Sequence, residues 1–221
     1  MQGVVILGAG GHARETLGIF NDMNRKENRW QVLGFIDEDK ANHGRVLDGV
    51  PVLGDLSWFS DMDKSQVKVI CGVGDNPARR QMVEKALALG LQFCSAISPL
   101  AHISPHAELG KGIMIFAYTA INTHAKIGDH TIINLGCTVS HDTIIGDFCN
   151  INPGVHLAGN VKVGEGCDIG MGANVIQGVQ IGSWSVVGAG AAVVSDLPAN
   201  VTAVGVPARI IKTREEGWYD R

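Results

Sequence analysis

From Ile103 to Val193 an aliphatic residue returns at every sixth position: Ile103, Leu109, Ile115, Ile121, and so on through sixteen places with no insertion. Four residues after each of them stands a small or modest side chain, such as Ala107, Thr119, Ala125, Cys137 or Ala173. A half-buried strand repeats every two residues and a helix every 3.6, so neither produces a period of six. The pattern predicts a parallel β-helix in which each hexad is one short strand and one turn, the aliphatic residue pointing inward. Three hexads close a triangular coil of 18 residues, and the run amounts to about five coils stacked at roughly 4.8 Å.

Residues 1–97 follow another rhythm. Val4–Leu7 reads as a strand, the turn Gly8–Ala13 leads into a helix over Arg14–Asn24, and Trp30–Ile36 is a second strand ending at Asp37. Further strands are expected at Val50–Leu53, Val67–Val73 and Gln92–Ile97, with a helix from Asn76-Pro77 to Leu89 that stops at Gly90. Alternating strands and helices imply a small parallel sheet, a half-Rossmann-like α/β domain too short for the two halves of a dinucleotide fold. The chain is therefore divided into residues 1–97 and a β-helix with a tail over 98–221.

Composition narrows the function classes. Charged residues make up 18% and the net charge is −4, with 11 basic and 12 acidic residues in 1–97 and 7 against 10 thereafter. Neither part carries the basic excess of a nucleic-acid binder. No stretch reaches the ~18 consecutive apolar residues of a membrane span, and the N-terminus lacks the basic start of a signal peptide. Five cysteines with no Cys-x-x-Cys pair fit reduced thiols in a cytoplasmic protein. Cys137, Cys149 and Cys167 fall on the small inward place of the repeat and are expected to be buried packing residues, as are Cys71 and Cys94.

Two places could carry chemistry. Gly8-Ala9-Gly10-Gly11-His12-Ala13 lies between a strand and a helix, where backbone N–H groups can meet a pyrophosphate, although a plain tight turn fits the same residues. Asp37 ends the next strand, where a carboxylate can meet a ribose or base, and Gly74-Asp75-Asn76 should face the same sheet edge. On the β-helix, the 18-residue period stacks His106, His124, Asp142 and Asn160 in one column, with Thr123, His141 and Gly159 beside it. A histidine next to a carboxylate can be held in one tautomer and act as a base, so His141 and Asp142 are the catalytic candidates. Gly159 is expected to leave room for a substrate there. A second column, Asn134, Asn152, Gly170 and Gly188 beside Leu135, Pro153, Met171 and Ala189, is expected to be stripped of bulk and open to an extended ligand arm. His43 is expected in solvent, and His102, His106 and His130 on the surface. The scattered histidines lack fixed ligand partners, so no metal site is expected.

The succession GAGGHA, FIDED, GVGDNPAR, unbroken hexads, SHDTIIGDF, LAGNVKVGEG and VGVPARII resembles the PglD/NeuD-like bacterial sugar acyltransferases over essentially the whole chain. In particular it is similar to the bacillosamine- and perosamine-type N-acetyltransferases. The resemblance implies a left-handed β-helix, a homotrimer with sites at subunit interfaces, and acetyl-CoA as donor. It implies transfer to the C4 amino group of a nucleotide-linked 4-amino-4,6-dideoxysugar. The acceptor would be bound through Gly10, Gly11, His12, Asp37 and Glu38, and the base would be His141 assisted by Asp142. Asn150, Met171 and Ala189 match CoA-contacting places. Acetyl transfer to a sugar hydroxyl, as in the sialic-acid branch, is the alternative reaction, and a non-catalytic β-helix scaffold is the alternative class.

Overall fold

The computed structural model describes residues 1–60 and 62–220. Arg221, the end of the expected second domain, lies outside the described residues. The chain divides into two compact units, Met1–Pro99 and Leu100–Arg221, a division two residues past Ile97.

The first unit is built on β1 (Gln2–Leu7), α1 (Gly11–Lys26), β2 (Trp30–Ile36), β3 (Val46–Leu47), β4 (Val50–Gly54), β5 (Val67–Cys71) and α2 (Asn76–Ala88). The strands form one sheet in the order β3-β4-β2-β1-β5. All pairs are parallel except β3 with β4. Val4, Val5, Ile6 and Leu7 are fully buried, as expected for a strand covered on both faces. Pro77 stands in the first turn of α2, Asp75 caps it by accepting from the Ala78 amide, and Gly90 takes up φ +78 just beyond its end.

Sequence periodicity found β4 but missed β3 and with it the hairpin. Its two-residue turn is Asp48-Gly49, both with positive φ (49° and 83°), which is what a tight right-twisted hairpin demands. Arg14 of α1 grips the turn through two hydrogen bonds to the Asp48 carboxylate, 2.7 and 2.9 Å. The strand expected over Gln92–Ile97 shrinks to Ala96–Ile97 and a single bridge from Phe93 to Val69.

The second unit is a left-handed parallel β-helix. Two-residue strands recur every six residues from His102–Ile103 to Ala192–Val193, and each pairs with the strand 18 residues away. Fourteen of the sixteen repeat aliphatics are buried; Ile103 and Leu109, in the first coil, are partly exposed. The last two strands form an antiparallel pair, Val201–Val204 with Arg209–Thr213.

The small inward residue turns out to be a donor as well as a filler. Thr119, Thr131 and Thr143 donate their hydroxyls to the carbonyls of Asn134, Gly146 and Ala158, 15 residues on, at 2.6–3.0 Å. Cys137, Cys149 and Cys167 place their thiols on the equivalent carbonyls of Asn152, Gly164 and Gly182 at 3.0–3.1 Å. Asn152 O also accepts from the Val155 amide at 3.2 Å; a corner carbonyl left unpaired away from water would cost about 1–3 kcal/mol.

The glycines after the aliphatic residues have a specific cause. A Cβ on Gly128 would lie 2.4 Å from the Gly146 carbonyl carbon, and one on Gly170 would lie 2.6 Å from the Val187 oxygen. These glycines let successive coils approach each other at the corners. The same contact corrects the expectation for the second column: Gly170 and Gly188 face the backbone or side chains of the next coil, not open space. Met171 and Leu135 there are 61% and 46% exposed, so that column is bulky as well.

Candidate active site

His141 and Asp142 form the corner that follows the strand Thr138–Val139. Asp142 has φ +59, the left-handed conformation that short polar residues tolerate best after glycine. The corner is fixed from both sides. The Asp142 amide donates to Thr123 O in the coil before it (3.2 Å), and Asn160 N donates to His141 O from the coil after it (3.0 Å). Thr143, which the sequence reading passed over, ties the same corner to Ala158.

On this support the His141 Nδ1 and Asp142 Oδ2 atoms stand 2.8 Å apart, with both side chains half exposed. A carboxylate accepts only, so Nδ1 carries the hydrogen of this contact, and in the neutral ring Nε2 is the acceptor. The imidazole lies against Gly159. A Cβ at that position would be 2.5 Å from His141 Cε1 and 2.6 Å from Nε2. Gly159 therefore makes room for the histidine ring itself, which corrects the expectation that it makes room for a substrate. Along the adjoining face runs a groove of about 430 Å³ lined by Thr138, Ser140, Ala158, Asn174, Ile176 and others.

In the first unit, the turns after β1, β2 and β5 emerge at one edge of the sheet. The chain leaves β1 toward β2 on one side, while β5 lies on the other, and such a switch point is where open α/β sheets leave a crevice. Gly10 and Gly11 are exposed, and a Cβ on either would meet nothing within 4 Å. Gly10 is the N-cap of α1 and supplies no side-chain cap, and the first turn holds no acidic residue. The head of this 16-residue helix, with its partial positive charge, carries no acidic side chain of its own.

Asp37 is engaged with this loop: its Oδ2 accepts from the Ala9 amide (2.8 Å) and its Oδ1 from the Asp39 amide (2.9 Å). Glu38 lies 3.6 Å from the Lys85 ammonium. His12 is mostly buried, with Glu15 3.3 Å from its Nδ1. Burial pushes its pKa below the usual imidazole value, Glu15 opposes the shift, and Arg79 adds to it. Asn150 is partly buried on its strand, while Met171 and Ala189 are exposed.

Comparison with known proteins fits this arrangement. Residues 3–86 match the PglD N-terminal domain, and residues 142–177 match the bacterial transferase hexapeptide of six repeats. PerB from Caulobacter crescentus, solved in complex with CoA and GDP-perosamine, is 40% identical over 95% of this chain and 97% of its own, with a TM-score of 0.87. This chain belongs to the PglD-like hexapeptide acetyltransferases. The acetyltransferase domain of PglB from Neisseria gonorrhoeae, solved with acetyl coenzyme A, is 32% identical over 95% of this chain and 99% of its own, at a TM-score of 0.87. The uncharacterized protein L142 of Acanthamoeba polyphaga mimivirus is 34% identical over 119 residues, and the PglD-like chain spans only 22% of its length.

The remaining histidines of this PglD-like chain separate into support and surface. His130 is buried, against expectation: its ring stacks on Phe148 at 5.3 Å and fills the space over Gly112, where a Cβ would be 2.3 Å from Nδ1. His43 is also less exposed than expected, because its Nε2 bonds the Asp37 carbonyl at 2.8 Å. His106 and His124 are exposed and stack at 5.7 Å. Among the described residues, no group of three or more His, Cys, Asp or Glu side chains is placed to hold a metal ion. No described helix is long and apolar enough to cross a membrane.

Proposed function

We propose that this protein transfers the acetyl group of acetyl-CoA to the C4 amino group of a nucleotide-linked 4-amino-4,6-dideoxysugar. The observation that carries the reading is the His141–Asp142 pair, held in one tautomer and pressed onto Gly159 at an exposed corner of the β-helix. A GDP-linked sugar is the leading acceptor, since the Caulobacter crescentus relative was solved with CoA and GDP-perosamine, also as its H141N variant.

The chemistry follows from the residues. The thioester is already activated, so the acceptor amine attacks its carbonyl carbon directly. His141 Nε2 takes the proton released from that nitrogen, the C–S bond breaks, and the proton passes to the departing thiolate to give free CoA. Asp142 holds the ring and stabilises the imidazolium while it lasts. Gly10, Gly11 and His12 receive the nucleotide end of the acceptor at the head of α1, while Asp37 and Glu38 shape the adjoining edge. Asn150, Met171 and Ala189 are assigned to the CoA side. The half-exposed corner is to be covered by the β-helix of a neighbouring copy in a homotrimer, which encloses both substrates.

Thiol release from acetyl-CoA with GDP-, UDP- and dTDP-linked 4-amino-4,6-dideoxysugars tests the proposal. Turnover of one amino sugar, reduced about 10²–10⁴-fold in His141→Ala, is expected. Turnover only of hydroxyl acceptors would move the reaction to O-acetylation, and silence on both would leave a scaffold.

A further inference from the structure

Among the described residues, Arg79 is the largest fully buried side chain. It is the fourth residue of α2 and folds back toward the helix start. Its Nη1 donates to the carbonyls of Val73 and Gly74, at 3.0 and 3.1 Å, and its Nη2 to Asn76 Oδ1 at 3.3 Å. One planar guanidinium thus fixes three acceptors of the turn that leaves β5.

That turn is the floor of the glycine loop. A Cβ on Gly72 would be 2.7 Å from Ala13 Cα, and one on Gly74 would be 3.7 Å from His12 Cβ. Gly8, with φ +98, faces Val73 Cγ2, which a Cβ would approach to 3.1 Å. The loop that carries Gly10, Gly11 and His12 therefore rests on backbone held by Arg79. A displaced floor moves the α1 amides relative to whatever they bind.

We infer that Arg79 is a positioning residue for the nucleotide end of the acceptor, acting through the Gly72–Asn76 turn on the loop at the head of α1. The inference rests on the acceptor assignment made under Proposed function. The fork matters more than the charge, because a lysine ammonium has no fixed plane in which to span two carbonyls and an amide oxygen.

Steady-state kinetics on the full chain test it. Arg79→Met should raise the KM for the nucleotide-sugar about tenfold or more, leaving the KM for acetyl-CoA and kcat within about twofold. A merely destabilised protein would lose active molecules and hence apparent kcat, with KM unmoved. Arg79→Lys should stay close to the Met variant, and recovery of the wild-type KM would overturn the positioning role in favour of charge alone. Should Arg79→Met fail to fold, Asn76→Ala, which removes one of the three acceptors, should still weaken nucleotide-sugar binding selectively, and an unchanged KM there would overturn the inference. Calorimetric titration with GDP separates the two readings. Wild-type protein that neither binds nor turns over any nucleotide-sugar overturns the acceptor assignment, whereas wild-type binding with equal affinity in the Met variant overturns the role of Arg79 alone.

Discussion

The imidazole of His141 occupies the space that a side chain on Gly159 would need, one coil further along the β-helix. Two residues 18 apart in sequence thus share one volume. Gly159→Ala should push the ring off its seat and break its alignment with Asp142. We expect kcat to fall at least about tenfold while the melting temperature changes little, since the clash falls on the far end of the half-exposed His141 side chain. Kinetics beside a thermal melt would check this, and undiminished kcat would show that the ring has another productive position.

Asp142 separates two demands on one residue. Its φ of +59 asks for a short polar side chain, and its contact with Nδ1 asks for an ionised acceptor. Asp142→Asn meets the first and fails the second, so it should fold normally and lose about 10–100-fold in kcat. Asp142→Val fails both, and it should also lose about 1–3 kcal/mol of stability from backbone strain. Urea unfolding of the two variants distinguishes the effects.

The cysteines should be dispensable for chemistry. Burial pushes the Cys71 and Cys137 thiols up to about 11 and Cys94 up to about 12. Thiolate is therefore scarce at these three positions at neutral pH, while Cys149 and Cys167 are fully buried. Iodoacetamide at pH 8 should leave the native protein active over the time needed to alkylate glutathione completely. Rapid inactivation protected by acetyl-CoA would point instead to an acyl-cysteine intermediate.

His12 sets a sign for the pH dependence of stability. Its folded pKa is lowered, mainly by burial, so on acidification the unfolded chain takes up a proton that the folded chain refuses. Stability should fall as pH drops through about 6.5, the ordinary imidazole value, and this contribution should be flat above about 7.5. Urea midpoints of wild type and His12→Gln between pH 5 and 8 should converge toward the acid end. A constant difference across the range would contradict the buried neutral state.

The β-helix was legible because its signal is local and repeated: Ile121, Val139 and Leu157 each announce a strand, and their spacing sets the register. The pairing of His141 with Asp142 was also readable, since adjacent residues at a corner need no tertiary knowledge. What the sequence concealed depends on direction. Whether His141 leans toward Gly159 or away from it, and whether His130 turns into the corner over Gly112, is decided by rotamers and by glycines one coil off. The floor held by Arg79 stayed hidden because an arginine in a helix reads as a solvated charge. The Asp48-Gly49 hairpin carried a recognisable turn pair, and its second strand was read at Val50–Leu53, but the two residues of β3 gave the periodicity too little to work on.

The unbroken repeat makes chain length a ruler. Adding 18 residues before His141 would lift it by one storey, roughly 4.8 Å, and keep it above the same face. Adding six would carry it a third of the way round the prism, away from Gly159. Insertions between Ile103 and Val193 are thus constrained by arithmetic as well as by stability. A mutation that preserves every inward aliphatic residue could still disconnect the base from its seat by miscounting.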